Sequence, residues 1–278
     1  MALPTAAPPT DVAVTHCLLD AQGRVLSSDG KGRAFYAAST IKLHVLLAAL
    51  RAGADGALDL DAAVPATRTF TGTDGAPFTL GGDHLDPSHP AEGAPVTVRE
   101  LLHRMIDRSS NEATDQIAEL IGLPTIAATI TALGLTATRM ERLIGDGAAL
   151  AQGLTNETSA ADLAATMLAT VRDGPPMGLG APGLTVAREA LTAQQIPVIG
   201  TALRTGVPWG SKSGWVEGYR HDVAFVGDPD GPGLRVLAVM TGGLDQDEAD
   251  ERITALVQEL LGGVADVPDI GDIRDAGD

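Results

Sequence analysis

Lysine is nearly missing from this chain, occurring only at positions 31, 42 and 212 against sixteen arginines. Asp and Glu together number 36, and the formal net charge is −17. A surface of that sign repels phosphate backbones and anionic headgroups, which argues against DNA, RNA or a charged membrane as partner. It suits a solvated surface and points to no particular substrate. Cysteine is scarcer still. Cys17 alone allows no intrachain disulfide and no thiolate metal cluster. Its setting, Val14-Thr15-His16-Cys17-Leu18-Leu19, suggests a buried strand with a core thiol rather than a nucleophile. Long apolar runs are also missing, and no stretch reaches the roughly 18 to 20 residues of a membrane helix. Met1 to Thr10 has neither a basic start nor an apolar run, so no signal peptide is expected. A cytoplasmic location follows for the chain as given, or a secreted or periplasmic one if an export signal has been removed.

What is present suits a sizeable core: 278 residues, 44% of them hydrophobic. Residues 11–19 and 24–36 carry short apolar runs around Asp20-Ala21-Gln22-Gly23, which predicts a β-hairpin. From Ser39 the period changes: Ile41, Val45, Leu46, Ala49 and Leu50 repeat at helical spacing up to Gly53, a candidate C-cap. Residues 65–95, rich in Gly, Pro, Thr and Asp, form a long loop passage of the kind kept for function or lids. Thr97-Val98-Arg99-Glu100 opens a helix as a capping box. Further helices are expected over Asn111–Ile121, Thr125–Leu133 and Ser159–Val171, the last capped by Ser159. Strands return after residue 190 as a meander over Gly210–Glu217, Tyr219–Val226 and Leu234–Thr241, before an amphipathic helix over Gln246–Leu261. Strands at both ends and helices between imply an α/β lobe with an inserted helical lobe, and a cleft between them as the site.

Three short patterns carry the chemistry. Ser-x-x-Lys occurs twice, at Ser28–Lys31 and Ser39–Lys42. The first copy contains Asp-Gly and belongs to a turn. The second opens an apolar helix, where residues three apart share a face and Lys42 can reach the Ser39 oxygen. A hydroxyl needs a base to become a nucleophile, and a desolvated lysine can serve as one. The helix N-terminus adds N–H groups for a developing oxyanion. The same spacing also fits a serine cap followed by a solvated lysine, but a chain that otherwise chooses arginine has reason to place lysine where a tunable cation is required. Ser109 and Asn111 lie between two helices, where they fit either a helix cap or a proton carrier beside an amide-binding side chain. Lys212-Ser213-Gly214 on a strand pairs a cation and a hydroxyl able to bind a carboxylate with a glycine that admits a ligand to the backbone.

Taken in this order, S-x-x-K, S-x-N and K-S-G form closely the set that the general motif rules attach to β-lactamases and penicillin-binding proteins. Over residues 11–262 the chain resembles the class A β-lactamase family of penicillin-recognising serine hydrolases. The segments Leu58–Asp61 and Thr97–Leu102 are similar to that family's connecting segments. The resemblance implies an α/β (α+β) fold: an antiparallel sheet flanked by helices, with an inserted all-helical lobe. A single domain over 11–262 is expected, its α/β lobe drawn from 11–38 and 190–262 and its helical lobe from 39–189, with flexible tails at 1–10 and 263–278. The resemblance further implies Ser39 as acylated nucleophile, Lys42 as its base or base partner and Ser109 as proton carrier to the leaving nitrogen. Asn111 would then bind substrate, Lys212 and Ser213 would hold a substrate carboxylate, and the N–H groups of Ser39 and Trp215 would form an oxyanion hole. No cofactor or metal is implied, and the expected partner is a small molecule bound by a monomer.

Two departures from the family stand out. Where β-lactamases carry a glutamate two residues after an arginine, to activate the deacylating water, Arg142-Leu143-Ile144 offers isoleucine. Glu141, Asp146 and Glu157 are nearby carboxylates, and Asp146 is the first choice as substitute because Gly145 and Gly147 free its backbone, though it also fits a turn. Asp115 stands where many members have the asparagine that anchors this loop, and Trp215 is large where a small residue is usual. Two more constellations are weaker. Asp83, His84, Asp86 and His89 have no helical or strand spacing that would build a metal site. In Arg220-His221-Asp222, strand alternation separates His221 from the other two, leaving Arg220 as the candidate cation for a substrate carboxylate. The acyl donor is open at this point between a β-lactam, another amide or ester, and a ligand that acylates a binding module without turnover.

Overall fold

The computed structural model describes residues 9–82 and 84–264. It begins with β1 (Ala13–Asp20), β2 (Val25–Asp29) and a short β3 (Phe35–Tyr36), followed by helix α1 (Ile41–Ala54). Four short strands come next: β4 (Ala63–Pro65), β5 (Thr69–Thr71), β6 (Pro77–Thr79) and β7 (Pro95–Thr97). The helical region contains α2 (Val98–Asp107), α3 (Asn111–Ile121), α4 (Leu123–Ala132), β8 (Arg139–Met140), α5 (Gly147–Ala151), β9 (Asn156–Thr158), α6 (Ala160–Val171) and α7 (Gly180–Thr192). The chain then returns to strands β10 (Trp209–Val216), β11 (Tyr219–Val226) and β12 (Arg235–Gly242), and α8 (Gln246–Leu260) follows.

Five strands form one antiparallel sheet in the order β10-β11-β12-β1-β2. Strand alternation sends Cys17, Val223, Phe225, Val236, Ala238 and Met240 into a core shared with the helical lobe. Their neighbours Leu18, Ala224, Val226, Leu237 and Val239 enter a second core beneath α8, with Ile253 and Val257. Both faces of β11 and β12 are therefore buried, whereas the edge strand β2 stays exposed. The sheet's other edge strand, β10, packs against the turn at Ala38–Thr40.

The structure redraws several sequence boundaries. The second strand stops at Asp29, and Phe35 and Tyr36 pair with β9 instead of β1, because Gly30 turns left-handed (φ 53°) between them. Residues 65–95 are not a bare loop: β4 pairs with β7, and β5 and β6 form a hairpin. Helix α1 runs through Gly53 to Ala54, since the left-handed turn comes three residues later at Gly56 (φ 74°). The capping box at Thr97 is half made: Thr97 accepts from Glu100 N–H at 3.1 Å, but the Glu100 carboxylate turns to Arg104 at 2.8 Å. Helix α7 lay hidden in the sequence because Gly180, Pro182 and Gly183 interrupt its apolar period; Pro182 is tolerated there because it falls in the first turn. Beyond Pro9 and Val264, the expected tails lie outside the described residues.

Candidate active site

Ser39 is set by strain. Ala38, which has a side chain, adopts the left-handed φ of 47°, a conformation that costs roughly 1–3 kcal/mol and persists only when the surroundings impose it. They do so here: Ala37 N–H is tied to Asn156 O at 2.9 Å, and Thr40 bonds back to Ala37 O through both N–H (3.1 Å) and Oγ1 (2.6 Å). Ser39 thus sits in a 3-10 turn just before α1, whose N-cap is Thr40. Gly214 of β10 presses on this turn so closely that an added Cβ would lie 2.9 Å from the amide nitrogens of both Ser39 and Thr40. Glycine is the residue that fits there, and it brings the backbone of β10 beside Ser39 N–H.

Lys42 is wholly buried, and its Nζ meets Ser109 O (2.6 Å), Ser109 Oγ (3.0 Å) and Asn111 Oδ1 (2.7 Å). Ser109 reaches it from a second left-handed, non-glycine backbone (φ 59°). The cap ambiguity at this link is resolved by division of labour. Ser110 caps α3 by accepting from Ala113 N–H at 3.2 Å, which leaves Ser109 and Asn111 free for Lys42. Asn111 also donates to His84 O at 3.1 Å. From the other wall, the buried Lys212 donates to Ser109 Oγ (3.2 Å) and Ser213 O (2.7 Å). One hydroxyl therefore joins two lysines, and neutral Lys42 could accept from it while ammonium Lys42 donates to it. Burial, and then the charge of Lys212, hold Lys42 well below the usual lysine range against the upward pull of Asp115 and Glu112. Burial, helped by Arg220, lowers Lys212 to about 7, while Asp222 and Asp107 oppose it.

Two adjoining pockets open at Ser39. The larger, about 800 Å³, is polar and is lined by Arg108, Ser109, Ser213, Trp215 and Arg220 among others. Ser213 Oγ donates to Ile196 O, and Arg220 is paired with Asp250 at 2.6 Å. Strand alternation turns His221 inward, where its Nε2 donates to Tyr36 O at 3.0 Å, while Asp222 accepts from the N–H groups of Val198 and Ile199, both at 2.8 Å. Trp215 and His84 face each other across the mouth, ring centres 6.1 Å apart. The smaller pocket, about 530 Å³, is lined by Tyr36, Ser39, Asn111, Ile144, Asn156 and Trp215 among others. Among the described residues, neither pocket is lined by a carboxylate.

The three carboxylates considered for the missing glutamate are engaged elsewhere. Asp146 caps α5 through Ala149 N–H (2.9 Å) and takes both N–H (2.9 Å) and Oγ1 (2.7 Å) of Thr73 from the β5–β6 hairpin. Burial acts to raise its pKa, but these hydrogen bonds prevail and hold it below the usual range. Glu141 accepts from Thr155 N–H (3.0 Å), and Glu157 pairs with Arg139 (2.9 Å). Ile144 is fixed from behind, its N–H donating to Asp115 Oδ1 at 2.8 Å. In the loop from 83 to 89, Asp86 is bound by Arg104 (3.0 Å) and Ser88 (2.6 Å), and Asp83 lies outside the described residues. Sequence reasoning assigned no site role to His84, Tyr36 or Asn156. Their positions depend on contacts that no local pattern signals.

The profile of the β-lactamase enzyme family matches residues 11–263. No curated protein gives a significant match. Among solved structures, a β-lactamase from Sphaerobacter thermophilus is 25% identical with TM-score 0.74, covering 92% of this chain and 94% of that one. A β-lactamase from Xanthomonas campestris pv. campestris is 21% identical with TM-score 0.75, covering 90% and 91%. A point variant of PBP-A in an acyl-enzyme complex with penicillin G is 20% identical with TM-score 0.71, covering 91% of each chain.

Proposed function

The chain belongs to the β-lactamase enzyme family, and we propose that it is a serine hydrolase that takes an acyl group from a β-lactam onto Ser39 Oγ. The observation that carries this reading is the Ser109 hydroxyl bridging two buried lysines beside a strained nucleophile turn. In acylation, Lys42 as free amine takes the Ser39 proton, and Oγ attacks the lactam carbonyl carbon. The oxyanion is stabilised by the N–H groups of Ser39 and Trp215. When the C–N bond breaks, Ser109 Oγ passes a proton to the leaving nitrogen and is reprotonated from Lys42. A substrate carboxylate lies in the polar pocket near Lys212, Ser213 and Arg220. The close packing of Gly214 on the Ser39 turn supports the oxyanion assignment, because it sets the β10 backbone beside Ser39 N–H.

Ile144 favours a second reading of the later step. Release of the acyl group needs a base on a water, and such help is worth about 10² to 10⁴ in rate. With isoleucine in the pocket wall, the protein acylates quickly and releases slowly, holding its ligand or acting on another amide or ester. Intact-mass spectrometry with benzylpenicillin tests both steps. One added drug mass should appear and persist in the wild type and be absent from Ser39→Ala, whereas a chromogenic cephalosporin should show a burst and a slow steady rate. A Ser39→Ala adduct, or a wild type that shows neither an adduct nor cephalosporin turnover, refutes the assignment; rapid steady turnover with no persisting adduct refutes the slow release.

A further inference from the structure

Asn111 and Asp115 stand four residues apart on α3 and so share a face. Asn111 uses that face to hold Lys42. Asp115 is wholly buried, and while Oδ1 accepts from Ile144 N–H, Oδ2 has no hydrogen-bond partner among the described residues. Anchoring Ile144 does not require a carboxyl group, since an asparagine oxygen accepts the same bond without burying an ionisable side chain. We propose that Asp115 is the buried counter-charge of the Lys42 ammonium and sets how readily Lys42 becomes the free amine that acylation needs. This rests on the reading of Lys42 as the base, and it makes Asp115 a positioning residue for a proton.

The surroundings leave this role to Asp115. The groups acting on Lys42 are Lys212 from β10 and Glu112 and Asp115 from α3. Glu112 is already matched by Arg68 at 3.5 Å and accepts from Asp86 N–H. Asp115 feels Lys42 from α1, Glu119 from its own helix and Arg142 from the loop. Burial pushes Asp115 well above the usual carboxylate range, and the Ile144 N–H and the Lys42 charge pull it back. Two buried groups displaced toward each other in this way titrate as a coupled pair. Lys42 Nζ faces three oxygens, which suits the ammonium, so a proton must leave before Ser39 can give one up. An ionised Asp115 retains that proton, and a neutral one releases it.

The scarcity of lysine makes the test direct. Protein labelled with ¹³Cε-lysine gives three side-chain signals, from Lys31, Lys42 and Lys212, and Lys42→Met assigns the one of interest. Asp115→Asn keeps the acceptor for Ile144 and removes the charge, so the Lys42 midpoint should fall by about one pH unit or more. Lys31 should not move. The acidic limb of Ser39 acylation by benzylpenicillin should shift to lower pH by the same amount. Asp115→Ala, which also loses the Ile144 bond, should share the midpoint shift, separating charge from anchoring. An unmoved or raised Lys42 midpoint in Asp115→Asn overturns the proposal. A lowered midpoint in a protein that never acylates supports the coupling and refutes the catalytic reading instead.

Discussion

Lowering the pH from 8 to 4.5 should weaken the fold through two buried histidines, His44 on α1 and His221 on β11. His44 is buried, and the Ile41 backbone beside its ring only partly offsets the cost of charging it. His221 is committed to its neutral form, with Nε2–H on Tyr36 O and Nδ1 accepting from Thr241 N–H. Burial lowers each from 6.5 to about 4. The unfolded chain therefore binds protons that the fold refuses, and stability falls as pH drops from 6.5 through 4 and levels off below. A displacement of about 2.5 units corresponds to about 3 kcal/mol per histidine at the limit and about 2.5 kcal/mol at pH 4.5. Asp115 and Asp222, raised by burial, work the other way over part of this range, so the decisive quantity is a difference between variants. Urea unfolding of wild type and His44→Leu at pH 8 and 4.5 supplies it. The leucine variant should lose about 2.5 kcal/mol less than wild type over that interval. Equal losses would refute a neutral buried imidazole at position 44. His221 also links acid to function, because its partner Tyr36 lies three residues before Ser39, and its protonation breaks the bond from Thr241.

Ile144→Glu should shorten the life of a preformed penicilloyl adduct by about 10² to 10⁴, measured by intact mass over time, with acylation little changed; an unchanged lifetime in a folded variant would show that side chain to be irrelevant to release. Gly214→Ala should slow acylation strongly, since its methyl meets two backbone nitrogens at 2.9 Å, and thermal melting should show a loss of about 1–3 kcal/mol from overpacking. Near-normal labelling would mean β10 can yield without cost. Lys212→Ala should raise KM for carboxylate-bearing donors more than it lowers kcat, and an equal effect on a neutral ester would remove its role in carboxylate binding.

Sequence alone determined what depends on neighbours along the chain. Short strands separated by turn residues predicted the meander of β10, β11 and β12, helical spacing predicted α1, and the scarcity of lysine drew attention to Lys42 and Lys212. The three motifs in order were enough to place the chain beside its family, because the family's chemistry depends on residue types at fixed short spacing. Tertiary structure decided which of these groups are free to react. By local pattern Ser109 fits a helix cap as well as a free hydroxyl; the contact with a lysine 67 residues away engages it elsewhere, and Ser110 makes the cap. Asp146 had the right neighbours for a mobile carboxylate, yet one oxygen caps α5 and a hairpin 73 residues earlier in the chain takes the other. Asp115 gave no local sign of total burial, which comes from packing against α1 and the Ile144 loop. Motifs fix spacing along one element, whereas proton affinity depends on burial and on charges brought close by chain segments distant in sequence.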